Sequence, residues 1–403
     1  MEFGIVIESR FEIRGPRLEF VRESDNSDSN FLRINPSFLR LFFVPRNADQ
    51  LMRNHIFSET SIGLNIVAIG GGNGLSTVLS GLKAFVAKEN GPVWIRDLSA
   101  VVAVSDDGGS SGRLRDELQI LPPGDIRNCM VALSEDSQLM SRLFQHRFSG
   151  DGELGGHSFG NLFLAALSEI TGDFAEAVKL SSEILVSKGH IYPATTEDVR
   201  LTAELENGEI VHGETNIGQI GTRIKKLRLE PETCHPLPET LEAIRLADII
   251  TIGPGSLFTS LLPPILVNGV ADAISRSEAR KIFVSNLMTQ PGETDGFSAR
   301  RHLEIIEKYA PQIKFDCLIV NNHAIKDQQA EKYGGQGSLQ IGIANSISPE
   351  TIKGVKILYG NLLDKGEKVR HDPKKLARLI LRFASSLPDK HVESGSARRL
   401  TAE

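Results

Sequence analysis

Cysteine is scarce in this sequence, which has only Cys129, Cys234 and Cys317 in 403 residues. Their wide separation gives no metal-binding spacing, so we expect buried free thiols and a reducing, cytoplasmic location. No apolar run reaches the roughly 18 residues that a membrane helix needs, so we expect no membrane span. Positive charge does not dominate either, since the net charge is -6. This balance argues against nucleic acid as the main partner.

Lysine is missing from the start of the chain, where every basic residue is arginine until Lys83. This segment holds eight phenylalanines without a clear period, and it lacks the layout of a signal peptide. We therefore predict a poorly ordered extension over residues 1–60, with Met52 as an alternative start. Residues 391–403 are predicted to form a disordered tail.

The most informative segment is residues 64–74, which read LNIVAIGGGNG. Its apolar, β-branched start predicts a buried strand. The glycines that follow exceed what a turn needs and let a ligand approach the backbone, although a tight turn without a ligand is the alternative. These glycines are Gly70, Gly71, Gly72 and Gly74.

A helix is predicted directly after these glycines, because residues 75–85 carry an apolar stripe at helical spacing. The free N–H groups and the positive dipole end of such a helix favour an anion such as phosphate. Neither common nucleotide motif fits. The lysine of the Walker motif is missing after Gly74, and Leu75 stands where the third glycine of the dinucleotide fingerprint belongs.

The same pattern of a strand followed by a polar or glycine loop recurs along the chain. Strands are predicted at 64–69, 98–104, 248–252, 281–285, 317–320 and 355–359. Helices are predicted between them, at 161–171, 174–186, 239–246 and 299–309. This alternation predicts an α/β, Rossmann-like three-layer fold with a mainly parallel sheet. Loops after parallel strands meet at one edge of the sheet, so we expect a single ligand cleft there.

One region interrupts this alternation. Short strands at 199–205, 209–213 and 225–229, with the turn Asn207–Gly208, predict a small antiparallel β insertion at about 191–229. Residues 61–390 are therefore expected to form one nucleotide-binding domain that contains this insertion.

Paired acids follow the second predicted strand. Asp106 and Asp107 can hold Mg²⁺ or accept from ribose hydroxyls, and the alternative is a solvated loop or a helix cap. Ser110, Ser111 and Arg113 add hydroxyls and a guanidinium, a combination that suits an anion.

Two further loops carry candidate ligand contacts. Arg127 beside Asn128 can bind phosphate, or Asp125 can cap the helix and pair with Arg127. His157, near Asn161, can act as an acid or base. No serine–histidine–aspartate spacing is legible, so we expect His157 to orient a ligand.

The remaining candidates lie in the second half of the chain. A second glycine loop leads into a helix and predicts a second anion cradle; its members are Gly253, Gly255 and Ser256. Polar side chains suited to sugar hydroxyls follow at Asn286, Gln290, Glu293 and Thr294. Tyr333 can stack on a base or be an ordinary surface residue, and Arg370 can reach the cleft or remain solvated.

Together these loops resemble the CofD (2-phospho-L-lactate transferase) superfamily, and within it the branch of bacterial gluconeogenesis factors. The resemblance covers about residues 64–385. Six ordered motifs carry it, namely GGGNG at 70–74, SDDGGSSGRLR at 105–115, LPPGDIRN at 121–128, GGHSFGN at 155–161, IGPGSLFTS at 252–260 and NLMTQPGETDG at 286–296.

The resemblance implies a binder of UDP-sugars, UDP-N-acetylglucosamine in particular, or of NAD, with no required cofactor. It implies a role in cell shape and morphogenesis during growth on gluconeogenic carbon. We also expect a homodimer and a regulatory protein partner. The alternative is a Mg²⁺-dependent transferase that uses the acid pair, but GGSSGR and GGHSFGN match the regulators. The ligand contacts carried over are Gly71, Gly72, Asn73, Asp106, Asp107, Asn161, Gly255, Ser256, Tyr333 and Arg370.

Overall fold

The computed structural model describes residues 62–89, 93–135, 138–219, 223–342 and 350–386. The predictions about residues 1–60, the start at Met52 and the tail at 391–403 lie outside these residues.

The strands form two sheets. Their bounds are β1 (Ile62–Gly70), β2 (Val93–Val102), β3 (His190–Pro193), β4 (Arg200–Leu205), β5 (Ile210–His212), β6 (Ile224–Glu230), β7 (Ile249–Ile252), β8 (Arg280–Val284), β9 (Cys317–Asn321), β10 (Thr351–Ile352) and β11 (Val355–Gly360). The large sheet has the order β10-β11-β9-β8-β7-β1-β2-β3, and only β10 runs antiparallel to its neighbour. The small sheet, β5-β4-β6, is antiparallel.

Helices alternate with the strands. They are α1 (Gly72–Leu82), α2 (Gly109–Leu118), α3 (Gly124–Leu133), α4 (Gln138–Gln145), α5 (Phe159–Thr171), α6 (Phe174–Ile184), α7 (Glu214–Ile217), α8 (Pro238–Leu246), α9 (Leu262–Leu266), α10 (Val270–Arg276), α11 (Ala299–Tyr309), α12 (Asp327–Gly334) and α13 (Pro373–Ser385). A 3₁₀ turn (Lys83–Phe85) follows α1, and a π turn (Leu257–Leu261) precedes α9. The predicted α/β fold with a mainly parallel sheet is confirmed.

The large sheet is buried on both faces, which explains why its strands lack polar alternation. In β1, Val67 and Ile69 join one apolar cluster, whereas Ile66 and Ala68 join the other. Side chains alternate between the faces of a strand, so the continuous apolar run serves two helical layers at once.

The direction of the strand order reverses at β1. From β1 the chain passes to β2 and β3 on one side, and it then returns to β7 on the other side of β1. Ligands of open α/β sheets bind at such a reversal point, beyond the carboxyl ends of the strands. The glycine loops after β1 and β7 both lie there.

The β insertion differs from its predicted extent at one end. Strands β4, β5 and β6 form the expected antiparallel sheet, with the turn Asn207–Gly208 between β4 and β5. His190–Pro193, however, pairs in parallel with β2 and belongs to the large sheet. This strand has only four residues and follows a polar turn, so it has little periodic signal in the sequence.

Among the described helices, none is by itself long and apolar enough to cross a membrane. Leu257–Leu266 and Val270–Arg276 pass that test only as a pair, on length and composition, and they are bent by 79°.

Candidate functional site

The first glycine loop is shaped by close contacts that only glycine allows. Gly72 has φ +60°, a left-handed conformation that L side chains rarely adopt. A Cβ on Gly71 would lie 2.6 Å from Oδ2 of Asp125. A Cβ on Gly74 would lie 2.0 Å from the carbonyl oxygen of Pro254. The two glycine loops are therefore packed directly against each other. Asn73, at the start of α1, is exposed.

The second glycine loop is held by polar side chains from the loop after β8. The Oδ1 atom of Asn286 accepts from the Gly255 amide at 3.0 Å, and its Nδ2 donates to the Gly255 carbonyl at 2.7 Å. Gly253 has φ +82°. Ser256 donates to the buried Glu293 at 2.6 Å, and its oxygen accepts from the Thr259 amide at 3.3 Å.

These contacts bear on the predicted second anion cradle. The Gly255 amide already has Asn286 as its acceptor. Burial also raises the pKa of Glu293, opposed by its hydrogen bond to Ser256. The segment after this loop is a five-residue π turn and a five-residue helix, so its dipole is short. The cradle stays a prediction, with a carboxyl group at its edge.

The two predicted acids make different contacts. Asp106 accepts from the Gly108 amide at 2.9 Å. Asp107 accepts from both the amide and the hydroxyl of Thr215, at 2.8 and 2.7 Å. Asp107 therefore fixes the β insertion to the large sheet. Asp106 instead lies against the start of α3, since a Cβ on Gly124 would be 3.0 Å from its Oδ2.

Asp125 and Glu214 complete an acidic cluster with Asp106. Burial, and then the charge of Asp106, raises the pKa of Asp125 to about 6, while its hydrogen bond from the Gly72 amide opposes this shift. Burial raises the pKa of Glu214 well above its ordinary value, with further contributions from Asp106 and Asp125. Asp125 therefore neither caps α3 nor pairs with Arg127 by hydrogen bond; it bonds to the glycine loop instead.

Arg127 connects α3 to the start of α5. Its Nη1 donates to Ser158 Oγ at 2.5 Å and to Asn161 Oδ1 at 3.1 Å, and its Nη2 donates to Asn128 at 2.7 Å. Its Nε is buried without a hydrogen-bond partner. Burial lowers the pKa of Arg127, and the nearby Arg147 adds to the effect.

His157 lies in a polar network around the start of α2. Its Nδ1 is 3.0 Å from Ser110 Oγ, and Asn161 donates to the same oxygen at 3.0 Å. Both His157 and Ser110 are buried, as is the neighbouring Ser111. Burial lowers the pKa of His157, and the nearby guanidinium of Arg113 adds to this. This arrangement suits a positioning role.

The predicted residues of the C-terminal half form a second connected group. Thr294 is buried and accepts from the Gln290 amide at 2.8 Å, while Gln290 Oε1 is buried without a partner. The hydroxyl of Tyr333 accepts from the amide of Val369 at 3.1 Å. Tyr333 therefore contacts Val369, the residue immediately before Arg370. The side chain of Arg370 is exposed.

A short bridge joins this group to the second glycine loop. Ser338 donates from its amide to the carbonyl of Tyr333 at 2.9 Å, and its hydroxyl donates to the carbonyl of Thr289 at 2.9 Å. Thr289 lies in the loop that begins with Asn286 and includes Glu293.

Whether Mg²⁺ fits this site depends on the free carboxylate oxygens of Asp106 and Asp107. Within the described ranges, no group of three or more histidine, cysteine, aspartate or glutamate residues is arranged to hold a metal. Asp106 and Asp107 each have one carboxylate oxygen committed to protein donors. Mg²⁺ often binds through one or two carboxylates together with substrate phosphates. The donor set therefore fits Mg²⁺ only as an ion that a phosphorylated ligand helps to hold.

Two charged residues near the site were missed from the sequence. Glu214 reaches the acidic cluster from the β insertion, in which no site residue was predicted. Arg147 donates to the carbonyl of Gly156 from an exposed loop that matches no motif. No local sequence pattern marks Glu214 or Arg147 as a site residue.

Comparisons with known proteins agree with this architecture. The sequence profile of the CofD family, described as 2-phospho-L-lactate transferase CofD, matches residues 66–363. The gluconeogenesis factor of Bacillus subtilis is 43% identical over 317 residues, which is 78% of this chain and 96% of that protein. The gluconeogenesis factor of Halalkalibacterium halodurans is 44% identical, over 79% of this chain and 95% of that protein.

A solved structure is also similar. The crystal structure of a Bacillus halodurans protein of the upf0052 family has a TM-score of 0.73 and 44% sequence identity. The match covers 79% of this chain and 99% of that one. The resemblance predicted from the loop motifs is thus confirmed, and the chain belongs to the CofD family.

Proposed function

We propose that this protein is a regulatory protein that binds a UDP-sugar, with UDP-N-acetylglucosamine as its ligand and without turnover of its own. The observation that carries the proposal is the contact between the two glycine loops at the reversal point of the sheet. A Cβ on Gly74 would lie 2.0 Å from the Pro254 oxygen, so any side chain there would force the two loops apart.

Two parts of the cleft support a nucleotide sugar. The acidic cluster of Asp106, Asp125 and Glu214 offers acceptors for hydroxyl groups of a ribose or a sugar. Tyr333 and the exposed Arg370, joined through Val369, offer an aromatic face and a guanidinium. The aromatic face suits a base, and the guanidinium can add a charge-assisted hydrogen bond to the ligand.

We propose that the protein has no turnover because of the contacts that His157 makes. It hydrogen-bonds Ser110, whose oxygen already accepts from Asn161 in a buried network. A serine nucleophile needs access to the substrate and a base oriented by a third group. This serine is only 4% exposed.

The similar proteins are named gluconeogenesis factors, and the resemblance to this branch of the family is the ground for a proposed role in the cell. We propose a cytoplasmic gluconeogenesis factor that supports cell shape and cell-wall control during growth on gluconeogenic carbon. A homodimer and a protein partner that responds to the ligand are parts of this proposal.

Isothermal titration and thermal melting test the proposal directly. UDP-N-acetylglucosamine is expected to bind and to raise the free energy of unfolding, by about 2.7 kcal/mol at a ligand concentration one hundred times its Kd. NAD and UDP-glucose are the comparison ligands. A melting temperature that no UDP-sugar changes would contradict the proposal.

A Mg²⁺-dependent transferase is the alternative, favoured by the description of the family profile and by the acid pair. Incubation with Mg²⁺, candidate ligands and a deazaflavin acceptor would then consume the ligand. We expect no consumption, and we expect UDP-sugar affinity to survive excess EDTA within a few-fold. A loss of tenfold or more, about 1.4 kcal/mol, would favour the transferase.

A further inference from the structure

The amides of the glycine loops are poorly placed to hold a diphosphate. The amide of Gly72 already binds the carboxylate of Asp125, and the amide of Gly255 binds Asn286 at 3.0 Å. The carboxyl groups of Glu214 and Glu293 lie beside the same loops. A diphosphate at the loops would therefore compete with carboxylates and be repelled by them.

Positive charge gathers instead around the loop that precedes α5. Arg113 Nη2 donates to the carbonyl of Gly155 at 2.7 Å. Arg147 donates to the next carbonyl, that of Gly156. Two guanidiniums thus bind consecutive carbonyl oxygens, so they are held close together.

The hydrogen bonds of these guanidiniums go to uncharged groups. In the described part of the chain, the hydrogen bonds of Arg113, Arg127 and Arg147 all go to carbonyl, hydroxyl or amide oxygens. Arg127 also has an unpartnered, buried Nε. Arg113 and Arg147 are exposed, so a ligand can reach them. Like charges gathered in this way repel one another, and the carboxylates of Asp125 and Asp106 oppose this repulsion at Arg127. An anion beside Arg113 and Arg147 would compensate the charge of the exposed pair.

We propose that Arg113 and Arg147 form the binding site for the diphosphate of the nucleotide sugar, with Arg127 closing its inner side. The inference rests on the proposed function, and it assigns Arg147 a role that no motif predicted. Planar guanidiniums bind phosphate oxygens in pairs, whereas a hydroxyl-rich sugar suits the carboxyl groups of the acidic cluster.

The test is isothermal titration of UDP-N-acetylglucosamine and of inorganic pyrophosphate into the full chain and its variants. Arg113→Ala and Arg147→Ala are each expected to weaken both ligands by about tenfold or more, as expected for a lost charge-assisted hydrogen bond. Arg142→Ala is the matched control, because Arg142 is an exposed arginine in the last turn of α4. It is expected to bind both ligands like the wild type.

Folding is checked by thermal melting, and Arg147→Lys retains the charge without the planar fork. This variant should melt like the wild type and bind with intermediate affinity. Wild-type affinity for both ligands in the two alanine variants would overturn the inference while leaving the proposed function standing. If the wild type bound pyrophosphate alone, and both alanine variants lost it, the two arginines would still form a diphosphate site, but the proposed function would fall. A wild type that bound neither ligand would overturn both.

Discussion

Asn286 holds the backbone of Gly255 at both of its polar groups, accepting from its amide at 3.0 Å and donating to its carbonyl at 2.7 Å. The carboxamide therefore acts as a clamp between the loop after β8 and the second glycine loop. The sequence suggested that Asn286 contacts sugar hydroxyls, yet its donor and acceptor atoms are already paired within the protein.

Removal of this clamp is the first prediction. Asn286→Ala leaves two backbone groups of Gly255 without their partner, so we expect a loss of about 1–3 kcal/mol in the free energy of unfolding. Ligand affinity should fall as well, because the loop is no longer fixed. Asn322→Ala is the control, since Asn322 also follows a strand but is exposed. Chemical denaturation that gives equal stabilities for the two variants would contradict the clamp.

The second prediction concerns the first glycine loop. Gly72 has φ +60°, and a Cβ there would approach only Ser260 Oγ, at 3.7 Å among the described atoms. The left-handed backbone conformation at this position disfavours valine, so Gly72→Val should lower the free energy of unfolding by about 1–2 kcal/mol. We expect the variant to fold but to lose nucleotide binding in isothermal titration.

Gly172→Val provides the matched control for this strain. Gly172 has φ +69° at the carboxyl end of α5, and a Cβ there would meet no described atom within 4 Å. It should be destabilised to a similar extent and bind ligand normally. Equal affinity in both variants would mean that the loop at Gly72 is only a turn.

A feature of the fold or of the site could be predicted from the sequence where its signal is local, and not where it depends on residues distant along the chain. The boundary between an apolar run and a glycine is local, so the strand predicted at 64–69 was found, as Ile62–Gly70. The ligand cleft beyond it stays a prediction. Whether Asp125 bonds to α3 or to Gly72 depends on residues more than fifty positions away. Glu214 joins the acidic cluster only because the β insertion folds back onto Asp107. No periodic pattern records such a contact.

The third prediction uses the acidic cluster. The pKa of Asp125 is raised to about 6, so the folded state retains its proton at pH values where the unfolded chain has lost it. Stability should therefore decrease as the pH rises from about 4 to about 6 and level off above. At pH 7 the cost is about 3 kcal/mol at about 1.4 kcal/mol per unit. Asp125→Asn should raise the melting temperature at pH 7.5 but leave it unchanged at pH 4.

Asp116→Asn is the control for the sign of this effect. The hydrogen bond from Arg200 lowers the pKa of Asp116, so its charge stabilises the folded state. Its replacement should not raise the melting temperature at pH 7.5. If both variants responded to pH in the same direction, the raised pKa of Asp125 would be refuted.

The last prediction concerns ligand specificity at Tyr333 and Arg370. If Tyr333 stacks on uracil, its ring contributes roughly 1 kcal/mol beyond the burial of its area. If Arg370 makes a charge-assisted bond to the ligand, it contributes about 1.5–3 kcal/mol. Arg370→Ala should therefore weaken UDP-N-acetylglucosamine binding more than Tyr333→Ala, with both variants folded.

Tyr333→Phe separates the ring from the hydroxyl. The hydroxyl accepts from the Val369 amide at 3.1 Å, so its loss should loosen the segment that carries Arg370 while retaining the stacking face. Isothermal titration should thus rank the affinities as wild type, then Tyr333→Phe, then Tyr333→Ala, with Arg370→Ala weakest. Wild-type affinity in both alanine variants would place these residues outside the site and restrict the ligand to the loops between Gly71 and Glu293.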